Sequence, residues 1–529
     1  MVPKTLFDYL AKKGEKEELV DVVPVGESDY REVESFAGGL KALYLREPVL
    51  SFGKELRSTL FPREFRYVES FYSSSMRIEA GLKLFYSKKH SNIAETFAEY
   101  VSLVFSRRGM DLEAKLNFDI DIERHPLNVS SDADVVKKMA DSMAEMPRGE
   151  PGIAGAAVME LTDLDFYRVK ALSIVHSVPT HLLNLKRFSG IHEKCLKKIS
   201  RQGIKVGSSG GSALYIVASC SGLSSYLLNN VVQLYAKAGG VPWGVGEADS
   251  KLLESTLVVG LSAARYGEGY YVGTAFAVAY MGKDVQSFVS ADMFSRSELD
   301  LEVLRNRGLY IPSRVVEELF KRILQATRDW RIRRYVVFQT PVVHEDESRG
   351  LSNALGDKFW ILVHTKLSGF TKRVYDSSTD DYGPYRGMCI VDEDSLETLR
   401  YGRGGKALLT VTGKVKVRRG GKEEVENLYL ATPRPLELEV YFNYSAVQRG
   451  GIDLYRLMVY ASRLILLLNK LDWEAYSNWP KMPFVVKYAR RVAQMLSTLR
   501  ESPNEEDREL AETAFNTLVR PSKPLRLIM

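Results

Sequence analysis

The segment that follows Leu252 constrains the fold more strongly than any other part of this chain of 529 residues. Apolar runs bounded by glycine turns predict three consecutive strands, which are Thr256 to Ala264, Tyr270 to Tyr280 and Val285 to Ser290. Ile311-Pro312-Ser313 then caps a helix that runs to about Thr327, and Tyr335 to Gln339 returns as a strand. A meander of three strands, one helix and a further strand indicate an α/β fold for this half of the chain.

The same order of elements opens a ribonuclease H-like fold. Later strands and two closing helices are predicted at Trp360 to Lys366, Ala407 to Thr412, Asn427 to Ala431, Glu437 to Phe442, Asp453 to Lys470 and Pro483 to Leu499. The first half instead alternates between strands and helices, with strands over residues 79 to 90 and 152 to 159 and helices over Ile93 to Phe105 and from Phe166 onwards, the latter capped within Asp163 to Asp165. This alternation predicts an open α/β unit.

Composition excludes several other classes of protein. Hydrophobic residues make up 45% of the chain and charged residues 26%, which is ordinary for a globular protein with a substantial core. Three cysteines and seven scattered histidines exclude a disulfide framework and a Cys/His zinc module. The start of the chain lacks a secretory signal, and no apolar run approaches the roughly 20 residues that span a bilayer. We therefore expect a soluble cytoplasmic protein, whose net charge of +6 permits nucleic acid as a partner without requiring it.

One predicted helix combines an apolar body with a polar stripe. Over Ser225 to Ala238 the helix is largely apolar, and Gly239-Gly240 ends it. Asn229, Gln233 and Lys237 stand at i, i+4 and i+8, so they share one face. Because buried amide and ammonium groups need polar partners, such a stripe faces either solvent or a ligand that is rich in acceptors.

A second anchor of the same kind lies earlier in the chain. Lys170 follows Phe166 by one helical turn, and an aromatic ring beside a lysine suits a stacked base next to its phosphate. A solvated helix face and an unrelated Phe/Lys pair would explain the same residues, and the pattern alone leaves both interpretations open.

These segments resemble the guide-binding MID domain of Argonaute proteins. The resemblance is carried by Phe166-Tyr-Arg-Val-Lys170, Pro179-Thr180-His181 and Gln233-Leu-Tyr-Ala-Lys237-Ala-Gly-Gly-Val241. It implies that Lys170 and Lys237 hold the 5′ phosphate of a guide strand and that Phe166, where the family has tyrosine, stacks on its first base. His181 takes the place of a glutamine. Gln233 would ligate a divalent cation (Mg²⁺) together with the terminal carboxylate of Met529.

The C-terminal half resembles the Piwi domain of the same family. The segments that carry this resemblance are Val258-Val-Gly-Leu-Ser262, Tyr335-Val-Val-Phe-Gln-Thr-Pro341, Phe359-Trp-Ile-Leu-Val-His-Thr-Lys366, Leu430-Ala-Thr-Pro-Arg-Pro435, and Leu471-Asp-Trp473 through Pro483 to Arg490-Arg491. It implies that Arg434, Arg490 and Arg491 contact the backbone of the guide or target. Active members hold two Mg²⁺ ions with carboxylates, but Ser262 and Thr340 stand at two of those positions.

The resemblance therefore implies a short prokaryotic Argonaute with an inactive Piwi domain. The expected fold is α/β, with an N-terminal segment (1–65), a Rossmann-like MID domain (66–250) and a ribonuclease H-like Piwi domain (251–529). The chain would load a short 5′-phosphorylated guide of RNA or DNA, recognise complementary target without cutting it, and signal to a separate effector protein in defence against invading nucleic acid.

Two alternatives stay open. In the first, the chain is an active guided endonuclease whose carboxylates come from a shifted alignment, with Glu437 or Glu439 as the last metal ligand, Glu298 as the mobile glutamate, and Asp284 or Asp346 recruited. In the second, it is a structural subunit that has lost guide binding.

Overall fold

A computed structural model of the chain describes residues 23, 25, 29–32, 40–52, 57–59, 78–106, 118–146, 152–202, 210–281, 284–340, 343–367, 374, 383–399, 405–419, 422–427, 435–474 and 482–519. Arg434 and Met529, both predicted to contact the guide or its metal ion, lie outside these residues. The strand predicted over Asn427 to Ala431 also lies mostly outside them.

The strands and helices are numbered here in chain order. The strands are β1 (Tyr30–Glu32), β2 (Leu40–Leu45), β3 (Leu50–Phe52), β4 (Arg57–Thr59), β5 (Ile78–Ser87), β6 (Phe118–Leu127), β7 (Gly152–Val158), β8 (Thr180–Asn184), β9 (Gly244–Val245), β10 (Thr256–Arg265), β11 (Tyr270–Met281), β12 (Asp284–Ser295), β13 (Arg334–Gln339), β14 (Phe359–Leu367), β15 (Met388–Asp392), β16 (Gly405–Leu409), β17 (Lys414–Arg419), β18 (Lys422–Asn427) and β19 (Leu436–Phe442). The helices are α1 (Ser91–Ser106), α2 (Asp132–Glu145), α3 (Asp163–His176), α4 (Leu185–Arg201), α5 (Gly210–Ser219), α6 (Ser221–Lys237), α7 (Glu247–Ser250), α8 (Leu301–Arg307), α9 (Ser313–Ala326), α10 (Glu345–Leu355), α11 (Glu393–Leu399), α12 (Tyr444–Gly450), α13 (Leu454–Lys470), α14 (Phe484–Arg500) and α15 (Glu505–Leu518).

A ten-stranded sheet organises the C-terminal half, in the order β1-β2-β15-β16-β19-β14-β13-β10-β11-β12. Strands β10, β11 and β12 form the antiparallel meander that the sequence predicts, and β13 and β14 join β10 in parallel. Each of these strands begins within one residue of its predicted start. The sheet is therefore mixed, as the α/β prediction requires.

Helices cover both faces of this sheet. Apolar residues of α9 and α10 form one core against β10, β13 and β14, while α14 lies across the other face. Gly260 in β10 permits that approach, because a Cβ atom at this position would meet the backbone oxygen of Val485 in α14 at 2.2 Å. A glycine is thus required where α14 crosses the first strand of the meander.

A second sheet contains four parallel strands in the order β6-β5-β7-β8. Helices α1, α2 and α3 connect its strands, so the alternating pattern of the first half is confirmed. The predicted start of α3 is wrong by three residues, because the helix begins at Asp163 and not at Phe166. Thr162 is the N-cap, because its hydroxyl accepts from the backbone N–H of Asp165 at 3.1 Å.

Part of the N-terminal segment packs onto the large sheet. Strands β1 and β2 extend its edge, while β3 pairs with β4 and β9. The buried guanidinium of Arg463 in α13 forms ion pairs with Asp29 and Asp249, and Arg46 contacts Asp249 at 3.1 Å. Because unpaired buried charges are costly, this network fixes the segment to α13.

Three further features complete the fold. Cys195 in α4 and Cys220, the N-cap of α6, form a disulfide; the composition excluded a disulfide framework, and this single bond was not predicted. Helix α15 was not predicted; it begins behind an N-cap at Asn504. Within the described residues, no helix is both long enough and apolar enough to cross a membrane.

Candidate functional site

Side chains from separate predicted motifs meet at one buried position. Lys170 lies on α3, His181 in β8, and Lys237 is the last residue of α6. Lys237 Nζ is 3.2 Å from His181 Nδ1, and Lys170 Nζ is 3.4 Å from the hydroxyl of Thr180. We call Lys170, Thr180, His181 and Lys237 the lysine cluster. Thr180 and His181 are neighbours at the start of β8, and each contacts one of the two ammonium groups.

His181 sets the orientation of Lys237. Burial, and next the charge of Lys237, hold the pKa of His181 well below its usual range, so the imidazole is neutral at pH 7. Asn230 donates its side-chain amide to the backbone oxygen of Tyr226 at 2.8 Å, which leaves its Oδ1 as acceptor 3.1 Å from His181 Nε2. The imidazole therefore donates from Nε2 and accepts the Lys237 ammonium at Nδ1.

Both lysines are held in unfavourable surroundings. Each side chain belongs to a residue that is only 3% exposed. Burial, followed by the charge of Lys237, keeps the pKa of Lys170 well below its usual range. Burial also lowers the pKa of Lys237 to about 8, although Glu474 acts in the opposite direction. An anion placed between the two ammonium groups would therefore stabilise their charged forms.

A network of ion pairs borders the lysine cluster. Arg491 in α14 contacts both carboxylate oxygens of Glu474, at 2.7 and 2.9 Å. Lys487 lies 2.8 Å from Glu474 and 2.8 Å from Asp472. Burial alone would raise the pKa of Glu474, but Arg491 and Lys487 hold it well below its usual range. We call these four residues the Glu474 network. The network contains two anions and two cations, and the lysine cluster beside it adds two further cations.

Aromatic rings and cations alternate beside this network. The Phe166 ring lies 5.6 Å from Lys170 Nζ and 5.4 Å from the guanidinium carbon of Arg491. That guanidinium is also 5.2 Å from the ring of Tyr488. Since Phe166 is half-buried, part of its ring stays accessible next to two positive charges. This arrangement suits a flat aromatic group that carries a negative charge.

The site lies where the two sheet units meet. Tyr167 donates its hydroxyl to Gln494 of α14 at 3.4 Å. Arg168 binds Asp507 of α15 through two bonds of 2.6 and 2.8 Å. Helix α3 is thereby attached to the C-terminal helices, and Arg491 is brought next to Phe166.

The other predicted residues are placed less centrally. Gln233 is half-buried on α6, one turn before Lys237, and Arg490 is exposed on α14. Asn229 precedes Gln233 by one turn, and its buried Oδ1 has no hydrogen-bond partner among the described residues. The fold thus brings five of the predicted residues together, which are Phe166, Lys170, His181, Lys237 and Arg491. Gln233 lies on an adjoining face of α6.

The described residues do not by themselves form a divalent-cation site here. Mg²⁺ prefers six oxygen ligands in octahedral geometry, and Gln233 offers a single amide oxygen. Across the described ranges, no group of three or more His, Cys, Asp or Glu side chains could hold a metal ion.

Hydroxyl side chains occupy the predicted catalytic centre. Leu261 pairs with Gln339 across β10 and β13. The next residue of each segment, Ser262 or Thr340, therefore lies beside the other. Ser262 is 5% exposed, and its backbone oxygen accepts from the hydroxyl of Thr274 at 3.3 Å. Both side chains are neutral hydroxyls, whereas hard cations such as Mg²⁺ prefer anionic oxygens.

The nearby glutamates lie on the other face of the sheet. The row that contains the two hydroxyls continues through Thr365 and Leu438. Because successive side chains of a strand alternate between faces, Glu437 and Glu439 point away from that row. Glu439 lies 3.9 Å from His364 Nδ1 on the opposite face. We call Ser262, Thr340, Thr365 and Leu438 the hydroxyl row.

The remaining acidic candidates are engaged or remote from the row. Glu298 accepts from the backbone N–H of Ser295 at 2.9 Å and from Arg314 at 3.1 Å. Asp346, in the first turn of α10, pairs with Arg349 at 3.2 Å. Asp284 begins β12, at the far edge of the meander.

Comparisons with known proteins agree with this architecture. No protein-family model and no curated protein matches the sequence. Among solved structures, the chain is similar to the crystal structure of Drosophila Piwi, with a TM-score of 0.53 and 12% identity, over 86% of this chain and 54% of that one. This chain has a Piwi-like fold. It spans about half the length of the Piwi chain, and at this identity the likeness shows the fold alone.

Sequence reasoning missed several residues of this site. Asn230, and not the predicted Asn229, contacts His181. The predicted polar stripe follows one face of α6, whereas β8 packs against the neighbouring face. The sequence also did not predict the Glu474 network. Asp472 and Glu474 follow α13, Lys487 lies on α14, and nothing in their local pattern indicates that they face α3.

Proposed function

We propose that the chain is a guide-dependent nucleic-acid binding protein of the short Argonaute type. The observation that carries this proposal is the lysine cluster. Two buried ammonium groups with lowered pKa values lie beside the half-buried ring of Phe166 and the guanidinium of Arg491. This combination recognises a terminal phosphate next to a stacked base, which is the chemistry of a 5′-phosphorylated strand.

The charge balance explains why the ligand is anionic. The cations of the lysine cluster and of the Glu474 network are Lys170, Lys237, Lys487 and Arg491, and they face the carboxylates of Asp472 and Glu474. Both carboxylates are already contacted by the cations of α14. A dianionic phosphate would add negative charge beside Lys170 and Lys237 and raise their pKa values.

The remaining guide and target contacts are backbone contacts. Arg490, exposed on α14, and Arg434 would bind phosphates and supply affinity without reading sequence, while base pairing with the guide supplies specificity. A divalent cation at the 5′ phosphate would be held by Gln233, the carboxylate of Met529 and the phosphate itself, and it would neutralise charge there.

The proposed protein recognises target without cutting it. The hydroxyl row offers no anionic ligands at two of the positions where two-metal cleavage requires them, and Glu437 and Glu439 face away from it. A protein that recognises but does not cut needs a separate effector to produce a consequence, and defence against invading nucleic acid is the role that the Argonaute resemblance implies.

Fluorescence anisotropy with labelled, 5′-phosphorylated RNA and DNA strands tests guide binding. We expect the Lys170→Ala, Lys237→Ala double variant to lose about 100-fold or more in affinity, because two charge-assisted contacts to phosphate disappear. The double variant Lys194→Ala, Lys198→Ala removes the same charge from the exposed face of α4 and should change affinity less than about fivefold. Equal affinities for wild type and the first variant would refute guide binding at this site.

A second assay tests cleavage and signalling. Guide-loaded protein is incubated with complementary target and Mg²⁺, and the products are separated by length; a single defined cut would favour the endonuclease alternative. Protein isolated from its host should carry short nucleic acid and an effector protein, identified by sequencing and mass spectrometry. If no strand is carried and none binds in vitro, the structural-subunit alternative holds instead.

A further inference from the structure

Helix α4 carries a row of exposed cations that belongs neither to the lysine cluster nor to the Glu474 network. The row consists of Arg187, Lys194, Lys198 and Arg201. At about 100° per residue these four side chains lie within about 60° of one another around the helix. They cover about 21 Å of the helix axis, because each residue adds about 1.5 Å. We call them the α4 row.

The other face of α4 is fixed in the core of the protein. Leu185, Phe188, Cys195 and Ile199 are buried on that face. Cys195 is also joined by its disulfide to Cys220 at the start of α6. The helix therefore cannot offer its apolar face to a ligand, and the α4 row is already in line before any ligand binds. A ligand that uses the row pays little for ordering the helix.

The charges of the row are available to a ligand. Lys194, Lys198 and Arg201 are exposed, and within the part of the chain that the structure describes none of them forms an ion pair. The guanidinium carbon of Arg187 lies 5.7 Å from the centre of the Tyr226 ring, and its side chain is exposed as well. All four cations thus face solvent, where they attract anions.

The acidic residue of α4 does not interrupt the row. Glu193 lies outside the row on the helical wheel, and its carboxylate accepts the hydroxyl of Ser189 at 3.0 Å. Lys186, at the first turn, pairs with Glu160 at 2.8 Å and is not counted in the row. The α4 row is therefore a continuous positive line on the helix.

A straight line of fixed cations fits a straight polyanion. Double-stranded nucleic acid carries one negative charge for about every 1.7 Å of its axis, so a length of about 21 Å carries about twelve phosphates. A lipid surface spreads its charges over a plane, of which a row one side chain wide contacts only a strip. An acidic peptide must be ordered before it matches the row, and that ordering costs affinity. The duplex matches both the charge and the shape.

We propose that the α4 row binds the phosphate backbone of double-stranded nucleic acid. The two arginines and two lysines contact phosphates and read no bases. This surface does not rest on the proposed guide binding. The lysine cluster recognises a terminal phosphate, whereas the α4 row contacts a continuous backbone. A short strand that is held by its 5′ end needs no contact with α4, so the same variants give opposite results with the two ligands.

Fluorescence anisotropy of the full chain with labelled DNA and RNA duplexes tests this surface. The duplexes have about 20 base pairs and hydroxyl groups at both 5′ ends, so that they offer no terminal phosphate. In about 0.1 M salt we expect Lys194→Ala, Lys198→Ala to lose about tenfold in affinity for the duplex that binds more tightly. The slope of log affinity against log salt concentration should fall by about two phosphate contacts.

Two further variants serve as controls. Lys137→Ala, Lys138→Ala removes the same charge from the exposed face of α2 and should change duplex affinity less than about threefold. Lys170→Ala, Lys237→Ala should bind the duplex as the wild type does. If that variant loses the guide but keeps the duplex, both surfaces are supported; if no protein binds the guide, duplex binding that depends on Lys194 and Lys198 still supports the α4 row.

Three results would overturn the proposal. The first is a wild-type protein that binds neither duplex. The second is equal duplex affinity and equal salt slope in the wild type and in Lys194→Ala, Lys198→Ala, or an equal loss in the α2 control. The third is preferential binding to vesicles of anionic lipid over duplex, with the same dependence on Lys194 and Lys198, which would assign the α4 row to a membrane surface.

Discussion

The lysine cluster and the hydroxyl row lie in the same Piwi-like fold but differ in charge. In the first, Lys170 and Lys237 stay buried at the cost of lowered pKa values. In the second, Ser262 and Thr340 are neutral and make ordinary contacts with neighbouring strands. Burying an ammonium group is unfavourable unless polar or charged partners surround it, and here Thr180, His181 and Glu474 do so. Under the proposed function, phosphate binding and strand cleavage depend on separate sets of residues, and of the positions compared only those of the lysine cluster are charged.

The largest effect is expected in the Glu474 network. Glu474→Gln removes the charge that pairs with Arg491 and Lys487, so these two half-buried cations lose their shared anion and Lys487 keeps only Asp472. We expect the free energy of unfolding to fall by about 3–5 kcal/mol, measured by urea denaturation. In the control, Glu512→Gln at an exposed pair with Arg500, the change should stay below about 1 kcal/mol. A similar small change in both variants would show that the network does not hold α14 in place.

The next effect concerns the stacked base. Phe166→Ala removes the ring beside Lys170 and Arg491. Guide affinity should fall by about 1–3 kcal/mol, the usual contribution of one stacked base. Phe166→Tyr restores the ring and adds the hydroxyl that the Argonaute family has there, so it should bind at least as tightly as wild type. Titration calorimetry with one phosphorylated strand checks both variants; unchanged binding of the alanine variant would rule out stacking.

The dependence of binding on pH follows from Lys237. Its pKa in the free protein is about 8, and only its charged form attracts phosphate. Affinity for a phosphorylated strand should fall about tenfold per pH unit above pH 8, because Lys237 is then mostly uncharged in the free protein. Anisotropy titrations between pH 7 and 9.5 measure this slope. An affinity that does not change up to pH 9.5 would show that neither lysine contacts the phosphate.

The smallest effect is expected at the hydroxyl row. The double variant Ser262→Asp, Thr340→Asp introduces two carboxylates on adjacent strands, but Glu437 and Glu439 still face away from them. We expect no defined cut of a complementary target with Mg²⁺ and guide affinity within about twofold of wild type, by gel analysis and anisotropy. A single cut opposite the guide would show that a third metal ligand is available and that two substitutions are enough to give cleavage.

The fold was predictable where the signal is local. The meander from β10 to β12 followed from glycine turns and apolar runs, and α14 followed from its apolar spacing behind Pro483. Helix α15 was missed because its apolar residues, such as Ala511 and Phe515, are few among charged ones. The disulfide of Cys195 and Cys220 was missed because a separation of 25 residues says nothing about proximity.

The candidate site was predictable in part. Lys170, His181 and Lys237 came from the resemblance to the MID domain, and their meeting depends on β8 lying between α3 and α6. Glu474 could not be predicted, because its importance comes from the crossing of α14 with α3 rather than from neighbours in sequence. The roles of all the predicted site residues, Gln233 and Arg490 included, stay predictions.

The most direct measurement compares two strands of the same sequence, one with a 5′ phosphate and one with a 5′ hydroxyl. We expect the wild-type protein to bind the phosphorylated strand at least about tenfold more tightly, and the Lys170→Ala, Lys237→Ala variant to lose this preference. Equal dissociation constants for the two strands on the wild-type protein would contradict this expectation.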